Sequence, residues 1–488
     1  MASGAMMEIG ATGMSRRRFL RLAGCGAALA TWSGGCGRDE RAGQRPGYSG
    51  PARHVILISL DTTRRDHFGC YGNPWIRTPR IDALASESIL FEDYMTVAPT
   101  TLPSHASLFT GQYPHSHGTP RNGFVVNSQN VMLTEVFRDA GFHTAGFLGS
   151  FVLAGLFGFA QGFDYFEDDW GDFVGDPWDN RDRRSALSVT NAVIKYLETR
   201  SIPRNLFLFA HYFDPHAPHG PREPYERAYR ADEAAESWLA ELQGRGKDLR
   251  TRGLGRALRY AGEVSFMDEH VGRLMDYLKK RGILDESLLM VTSDHGENFL
   301  EHHHHWDHGF TVYQSTMHGV CTLRLPHADM AGTKVDQLFA SIDLLPTIAR
   351  YLELPVPEGI DGEAVDLSRD GIAFAPRVRF GQATKPYNRP ETNLRWHNMF
   401  KARCLREGQM KYIQTPNKRT EELYDLAADP REREDLLKNP TPEIATATES
   451  LRQRLSAWAE AADPLESHYN LTKWKEAAQR LESLGYVE

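Results

Sequence analysis

The segment RHVILISLD, Arg53–Asp61, is a continuous apolar run that closes on a carboxylate. A strand apolar at every position has both faces covered, which is the habit of a parallel sheet packed between helices. NLFLFAHYFD (Asn205–Asp214) and SLLMVTSDHGE (Ser287–Glu297) repeat the design, again with Asp after the apolar run. Between and around them lie amphipathic helical patterns: TPRIDALASES, LTEVFRDAGF, ALSVTNAVIKYLETR and ALRYAGEVSFMDEHVGRLMDYLKKRG. Strands alternating with helices predict a doubly wound, mostly parallel α/β sheet. In such sheets ligands bind outside the carboxyl ends of the strands. Asp61, Asp214 and Asp294 are thus expected to face one crevice. A single Asp after a strand is commonly the cap of the next helix. Three of three, with histidines close behind two of them, point to a metal or anion site.

The chain has 488 residues, 41% hydrophobic and 25% charged, with a formal net charge of −8. That length allows two or three compact units. The acidic balance, with no basic stripe carrying interleaved aromatics, excludes general nucleic-acid binding. Residues 1–36 read as an export signal. SRRRFL (Ser15–Leu20) has the twin-arginine form, and the following apolar stretch is too short to span a bilayer. Cys36 in SGGC resembles a lipoprotein cleavage site, which makes a lipid anchor or ordinary cleavage nearby the two alternatives. The expected location is periplasmic or membrane-anchored, with the twin-arginine export machinery as a partner. Past Cys36 only Cys70, Cys321 and Cys404 remain, an odd and scattered set that gives no disulfide framework.

Residues 37–52 read as a linker and 53–375 as the catalytic domain. SIDLLPTIARYLELPVPEGIDG (Ser341–Gly362) gives its last helix and a proline-rich exit. Residues 376–488 read as a smaller α+β subdomain, with strands in MKYIQTP and EELYDL and a long helix in ATATESLRQRLSAWAEAA. FEDDWGDFVGDPWDNRDRR (Phe166–Arg184) is expected to be a surface loop and substrate rim, and the loops of 220–255 are expected to help select the substrate.

The segment APTTLPSHASLFTG, residues 98–111, puts Thr101 at the start of a helix, with Pro103 in its first turn and Gly111 at its stop. Backbone N–H groups there favour an anion. A hydroxyl in that position is either a cap or a nucleophile. Asp294 and His295, joined by Asp61 and Thr101, make an oxygen–nitrogen donor set that suits Zn, Mn or Fe better than Ca. A metal beside Thr101 would activate its hydroxyl. Asp214, His308 and either His216 or His219 of DPHAPH make a candidate second metal site. The alternative is one metal, with His216 and His308 contacting substrate and protonating the leaving group.

With these motifs in their order and spacing, from Arg53 to about Asp435, the chain resembles the sulfatase family of the alkaline phosphatase superfamily. The matching pieces are LISLDTTRRDHFGCYG, APTTLPSHASLFTGQYPHSHG, HYFDPHAPH, VTSDHGE with EHHHHWDHG, DLLPT and ELYDLAADP. The resemblance implies a metal-dependent hydrolase of sulfate or phosphate esters. It departs from the family at five places. Thr101 stands where the family has the Cys converted to formylglycine. His105 replaces the supporting Arg, so it too is a candidate substrate contact. Thr62 replaces the second Asp of an Asp-Asp pair, and His295 replaces an Asn. The family's Gly-Lys-x-His segment is also missing where FLGSF (Phe147–Phe151) stands. The resulting set is closer to phosphoryl-transfer members of the superfamily that use Thr, and Mn or Zn is the expected metal. Asn122, in the family's Arg-Asn-Gly position, is expected to donate to a non-bridging oxygen. Of the four histidines His302–His305, His302 matches the family. His115 and His117 are expected to pack rather than ligate.

The expected function is hydrolysis of a phosphodiester or phosphomonoester through a Thr nucleophile and a covalent intermediate, on a small-molecule, glycan or lipid-linked substrate. Sulfate-ester hydrolysis without formylglycine is the alternative. A catalytically inactive anion- or glycan-binding surface protein is the third reading, and it leaves the metal quartet unexplained.

Overall fold

Eight strands build the central sheet: β1 (His54–Leu60), β2 (Ile89–Phe91), β3 (His143–Phe147), β4 (Tyr165–Glu167), β5 (Leu206–Tyr212), β6 (Ser287–Ser293), β7 (Cys321–Arg324) and β8 (Lys334–Val335). Their spatial order is β8-β2-β7-β6-β1-β5-β3-β4. The middle of the sheet, from β6 to β4, is parallel, and β7 runs antiparallel between β6 and β2. The computed structural model describes residues 47–169, 176–220, 222–243, 247–302, 306–368, 372, 376–385, 401–467 and 475–484. The expected export signal and Cys36 lie outside them. Among the described residues no helix is long and apolar enough to cross a membrane.

The continuous apolar runs are explained by two separate cores. Val55 and Leu57 of β1 face one core with Phe207 and Phe209 of β5, under the helix α1 (Thr101–Thr110). Ile56, Ile58 and Leu60 face the other with Leu206, Leu208 and Ala210, under α2 (Ala186–Thr199) and α3 (Lys247–Lys280). Alternate residues of one strand thus serve opposite layers, which is the doubly wound arrangement the sequence predicts.

Register decides what reaches the site. Leu60 pairs with Tyr212 on one side and Ser293 on the other, so β1, β5 and β6 end level. Asp61 and Asp294 therefore emerge at the same height on adjacent strands. Asp214 is one residue later on its strand, and a one-residue offset reverses the direction of a side chain.

Two segments differ from the sequence reading. The expected loop Phe166–Arg184 begins inside the edge strand β4, which pairs with β3 through Ala145 and Tyr165. The region 220–255 is largely helical, with Tyr225–Arg230, Glu233–Gln243 and the start of α3. Charge-rich composition hid these helices, although Tyr229, Ala235, Leu239 and Leu242 are buried.

Pro46–Glu488 forms one compact unit. Its C-terminal part adds a four-stranded antiparallel sheet, β9 (Val378–Gln382), β10 (Arg403–Glu407), β11 (Met410–Thr415) and β12 (Thr420–Asp425). The helix α4 (Pro442–Glu460) covers it, burying Leu451 and Leu455 against Leu405, Tyr412 and Leu423. Buried ion pairs fasten this sheet to the rest. Arg406 donates two hydrogen bonds to Asp93, at 2.7 and 2.8 Å, across 313 residues of sequence. Arg379 pairs with Asp343 at 2.8 Å, and Lys411 pairs at 2.7 Å with Glu432, which accepts the Gln314 N–H at 2.5 Å. Removing one partner of a buried pair strands the other charge, at a cost of about 3–5 kcal/mol. Arg406→Ala is therefore expected to lower the unfolding free energy by about that amount in urea titration. A change within about 0.5 kcal/mol would show the tie to be dispensable.

Candidate active site

Two carboxylates and an imidazole meet at the ends of β1 and β6. Asp61, Asp294 and His295 are fully buried or nearly so, and one donor atom from each lies within 4.8 Å of the others. The chain leaves β1 through Thr62, whose φ of +53° is uncommon for a β-branched residue. That turn aims the Thr62 N–H at Asp294 Oδ1 (3.0 Å) and its hydroxyl at Asp61 Oδ1 (2.5 Å). Thr62 thus holds the two carboxylates in place where the family has a second Asp.

The remaining oxygens are placed by neighbours. Asp61 Oδ2 accepts from His211 Nε2 at 3.0 Å. Asp294 Oδ1 also accepts from the His295 N–H at 2.8 Å. Burial pushes the Asp294 carboxyl well above its usual range, and the Asp61 charge adds to the effect. Burial acts on Asp61 in the same sense, but the His211 hydrogen bond and charge outweigh it and hold Asp61 low. Like charges in one buried site oppose each other's ionisation.

The decisive contact is between Asp294 Oδ2 and His295 Nε2, 3.4 Å apart. The His295 Nδ1–H donates to the Gly296 carbonyl at 2.9 Å, which leaves Nε2 as the lone-pair nitrogen of a neutral ring. Burial keeps that ring well below the usual histidine range. Neither Asp294 Oδ2 nor His295 Nε2 has a hydrogen-bond partner among the described residues. Two acceptors facing each other in a dry site ask for a cation between them. Carboxylates with one imidazole fit a divalent transition metal.

The helix α1 is pinned against this group at its first turns. Leu102 N–H donates to Asn122 Oδ1 at 2.8 Å, and Ser104 Oγ donates to the Asp294 carbonyl at 2.7 Å. His105 Nδ1–H donates to the Thr101 carbonyl at 2.7 Å and lies 3.7 Å from Asp294 Oδ2. One imidazole therefore separates the Thr101 backbone from the carboxylate. Thr101 is fully buried as the first residue of the helix, and Gly111 ends the helix at φ +66°.

His105 is a correction to the sequence reading. Its Nε2 accepts from Ser59 Oγ at 2.8 Å, so both ring nitrogens are used inside the protein. Burial and the neighbouring His211 lower it to about 3. It is a neutral spacer between helix and sheet, not a substrate contact. Asn122 comes closer to expectation. It is 4% exposed, its carbonyl is fixed by Leu102, and its Nδ2 has no partner among the described residues.

The second site expected of Asp214, His219 and His308 does not assemble. Asp214 accepts from Arg222 Nη2 at 2.9 Å and from the Ala186 N–H at the start of α2 at 2.6 Å. It serves as a helix cap and ion-pair partner, which its register offset already implied. His219 bonds Glu263 of α3 at 2.8 Å. His308 stays near the centre, its ring 4.5 Å from His295 and 5.2 Å from His216. His216 Nδ1–H donates to the Ala217 carbonyl at 2.7 Å, and burial lowers this ring to about 3. His302 stacks on Tyr313 at 3.8 Å, and His303–His305 lie outside the described residues. His115 packs against Tyr113 and Trp458, and His117 bonds Ser107.

Sequence reasoning missed Ser59, His211 and Glu297. The first two were legible as polar residues interrupting apolar strands on the α1 side. Glu297 was read only as the end of a motif. It is 1% exposed and places Oε2 3.4 Å from His308 Nδ1.

A family model for Sulfatase matches residues 53–354, and one for the C-terminal part of N-sulphoglucosamine sulphohydrolase matches 301–461. The chain is 24% identical over 371 residues to an arylsulfatase of Clostridium perfringens, covering 63% of this chain and 76% of that one. It is 24% identical over 505 residues to the multifunctional alkaline phosphatase superfamily protein PehA of Trinickia caryophylli, covering 86% and 97%. The phosphonate monoester hydrolase of Agrobacterium radiobacter superposes with a TM-score of 0.66 at 22% identity, covering 84% of this chain and 95% of that one. A protein solved with its substrate D-glucosamine-2-N,6-O-disulfate superposes with a TM-score of 0.67 at 21% identity, covering 85% and 99%. The matched length, the fold and the metal-binding geometry together make the chain a member of the sulfatase family in the alkaline phosphatase superfamily, a family of metal-dependent enzymes, and a hydrolase of sulfate or phosphate esters.

Proposed function

We propose that the protein hydrolyses phosphate esters, phosphodiesters foremost, with Thr101 as the nucleophile. The observation that carries this reading is the start of α1 at Thr101, where Ser104 bonds the Asp294 backbone and His105 joins the Thr101 carbonyl while lying 3.7 Å from Asp294 Oδ2. Asp61, Asp294 and His295 would hold a divalent cation, Mn or Zn by donor type, which would lower the proton affinity of a neighbouring hydroxyl and offset phosphate charge. Thr101 Oγ would pass its proton to water and form a bond to phosphorus as the ester oxygen departs on the opposite side. The departing alkoxide would take up a proton from water held by His216 or His308, whose rings lie 5.2 Å apart. Asn122 Nδ2 donates to a non-bridging oxygen, its direction fixed by the Leu102 bond to the other end of the amide. Water then cleaves the threonyl ester, restoring the hydroxyl and releasing the second product. Positioning and charge stabilisation of this kind are the main demands of phosphoryl transfer.

Phosphorus is preferred over sulfur on chemical grounds. A formylglycine hemiacetal can expel sulfate by elimination, and a threonine ester cannot. The names of several relatives favour the opposite reading, among them the arylsulfatase and an N-acetylglucosamine-6-O-sulfatase of Bacteroides thetaiotaomicron. The phosphonate monoester hydrolase and PehA support phosphorus. The substrate is proposed to be a small-molecule, glycan or lipid-linked ester outside the cytoplasm, reached by twin-arginine export, with Cys36 as the candidate lipid anchor.

On matched aryl substrates with Mn or Zn, the phosphodiester is expected to turn over faster than the sulfate. The reverse order would make the protein a sulfatase that works without formylglycine. Thr101→Ala is expected to lower kcat about 10³-fold or more, and to remove the phosphoryl mass adduct trapped by rapid acid quench. Full activity in that variant would remove Thr101 from the mechanism. Stripping divalent ions is expected to abolish turnover and lower Tm. Re-addition at about 100 times Kd restores about 2.7 kcal/mol of stability. Asp294→Asn is expected to lose that thermal response, and a variant that kept it would place the cation elsewhere.

A further inference from the structure

We propose a second divalent-cation site formed by Glu297, Asp307 and His308. Their donor atoms lie within 4.8 Å of one another, one from each residue. The grouping follows from a short hairpin just after β6. Asn298 pairs with Asp307 and Phe299 with Trp306, so Glu297 and His308 lie side by side at its open end. The hairpin is held firmly. Phe299 and Trp306 stack at 4.5 Å, the Arg64 guanidinium lies 4.6 Å over the Phe299 ring, and Arg64 Nη1 donates to the Glu297 carbonyl at 2.6 Å.

A ligand is indicated by Glu297 itself. The residue is 1% exposed, and one carboxylate oxygen approaches His308 Nδ1 at 3.4 Å. The other, Oε1, is buried and has no hydrogen-bond partner among the described residues. An acceptor-only group left without a donor in a dry interior carries its full desolvation cost. Asp294 Oδ2 shows the same signature in the first site. Asp307 adds a second carboxylate. Lys385 Nζ contacts Asp307 Oδ1 at 3.1 Å and Oδ2 at 3.4 Å, and the His308 N–H donates to Oδ1 at 2.7 Å. The shorter contacts thus gather on Oδ1. Two carboxylates and an imidazole again fit Mn or Zn.

The two donor sets are neighbours. Glu297 follows His295 by two residues, and the His295 and His308 rings are 4.5 Å apart. As a binding site the second set stands without the Thr101 chemistry; its part in turnover rests on that reading. There it would stabilise charge on the departing oxygen, and water held at His216 rather than at His308 would supply the proton.

The test is cation stoichiometry on the full chain, stripped of metal and titrated with Mn or Zn by calorimetry, with the bound metal then counted by mass spectrometry. Two equivalents per chain are expected for the wild type, one each for Glu297→Gln and Asp294→Asn, and none for the double variant. A wild type that binds one equivalent, or a Glu297→Gln protein that keeps two, overturns the proposal. Asp307→Asn and His308→Gln, checked by circular dichroism, give the same readout if Glu297→Gln does not fold. One bound cation with Thr101-dependent turnover would sink this inference alone. Two bound cations with a fully active Thr101→Ala would sink the Thr101 reading alone.

Discussion

The level ending of β1 and β6 is the constraint from which the site follows. Because Leu60 lies opposite Ser293, the next residues on the two strands, Asp61 and Asp294, are neighbours across the sheet. Every later element answers the problem this creates. Two buried carboxylates repel each other, so Thr62 turns back to donate to both, and His211 steadies the outer oxygen of Asp61. What those donors leave unsatisfied, Asp294 Oδ2 and His295 Nε2, defines the place for a cation. The chemistry of the family is in this sense a consequence of strand register.

Much of this was readable in the chain. The apolar runs closing on Asp, the helix starting at Thr101 and the pairing of Asp294 with His295 each carry a local pattern with a physical cause. Two of the four C-terminal strands, Met410–Thr415 and Thr420–Asp425, and the helix after them were equally plain. Asp214 was misread because register is set by long-range pairing. One residue of offset separates a ligand from a helix cap, and composition does not record it. His105 was misread for a related reason, since only packing reveals that Ser59 takes its second nitrogen. The helices of 220–255 are short or charge-rich, although Glu233–Gln243 buries Ala235, Leu239 and Leu242 at helical spacing, and β4 is three residues long at a sheet edge. Neither gives periodicity enough length to register.

The histidines are instructive because their number misleads. The run His302–His305 draws attention, yet His302 stacks on a tyrosine. The rings that gather at the centre, His295, His308 and His216, come from three separate motifs. Burial keeps His295 and His216 neutral, and backbone carbonyls fix which nitrogen carries their protons. A neutral ring with an assigned lone pair is a prepared ligand or hydrogen-bond acceptor. Isolated surface histidines have no such preparation.

The attachment of α1 has an evolutionary consequence. Its first two turns are bonded to Asn122, to the Asp294 backbone and, through His105, to Ser59, and none of these partners belongs to the segments 166–184 or 220–255. The start of α1 is thus referenced to the sheet and to its own first turns. Rim segments can lengthen, shorten or change charge while the centre keeps its alignment. Descendants of such a chain can acquire new substrates by drift in their outer loops, with selection on the reaction itself confined to the few residues at the strand ends.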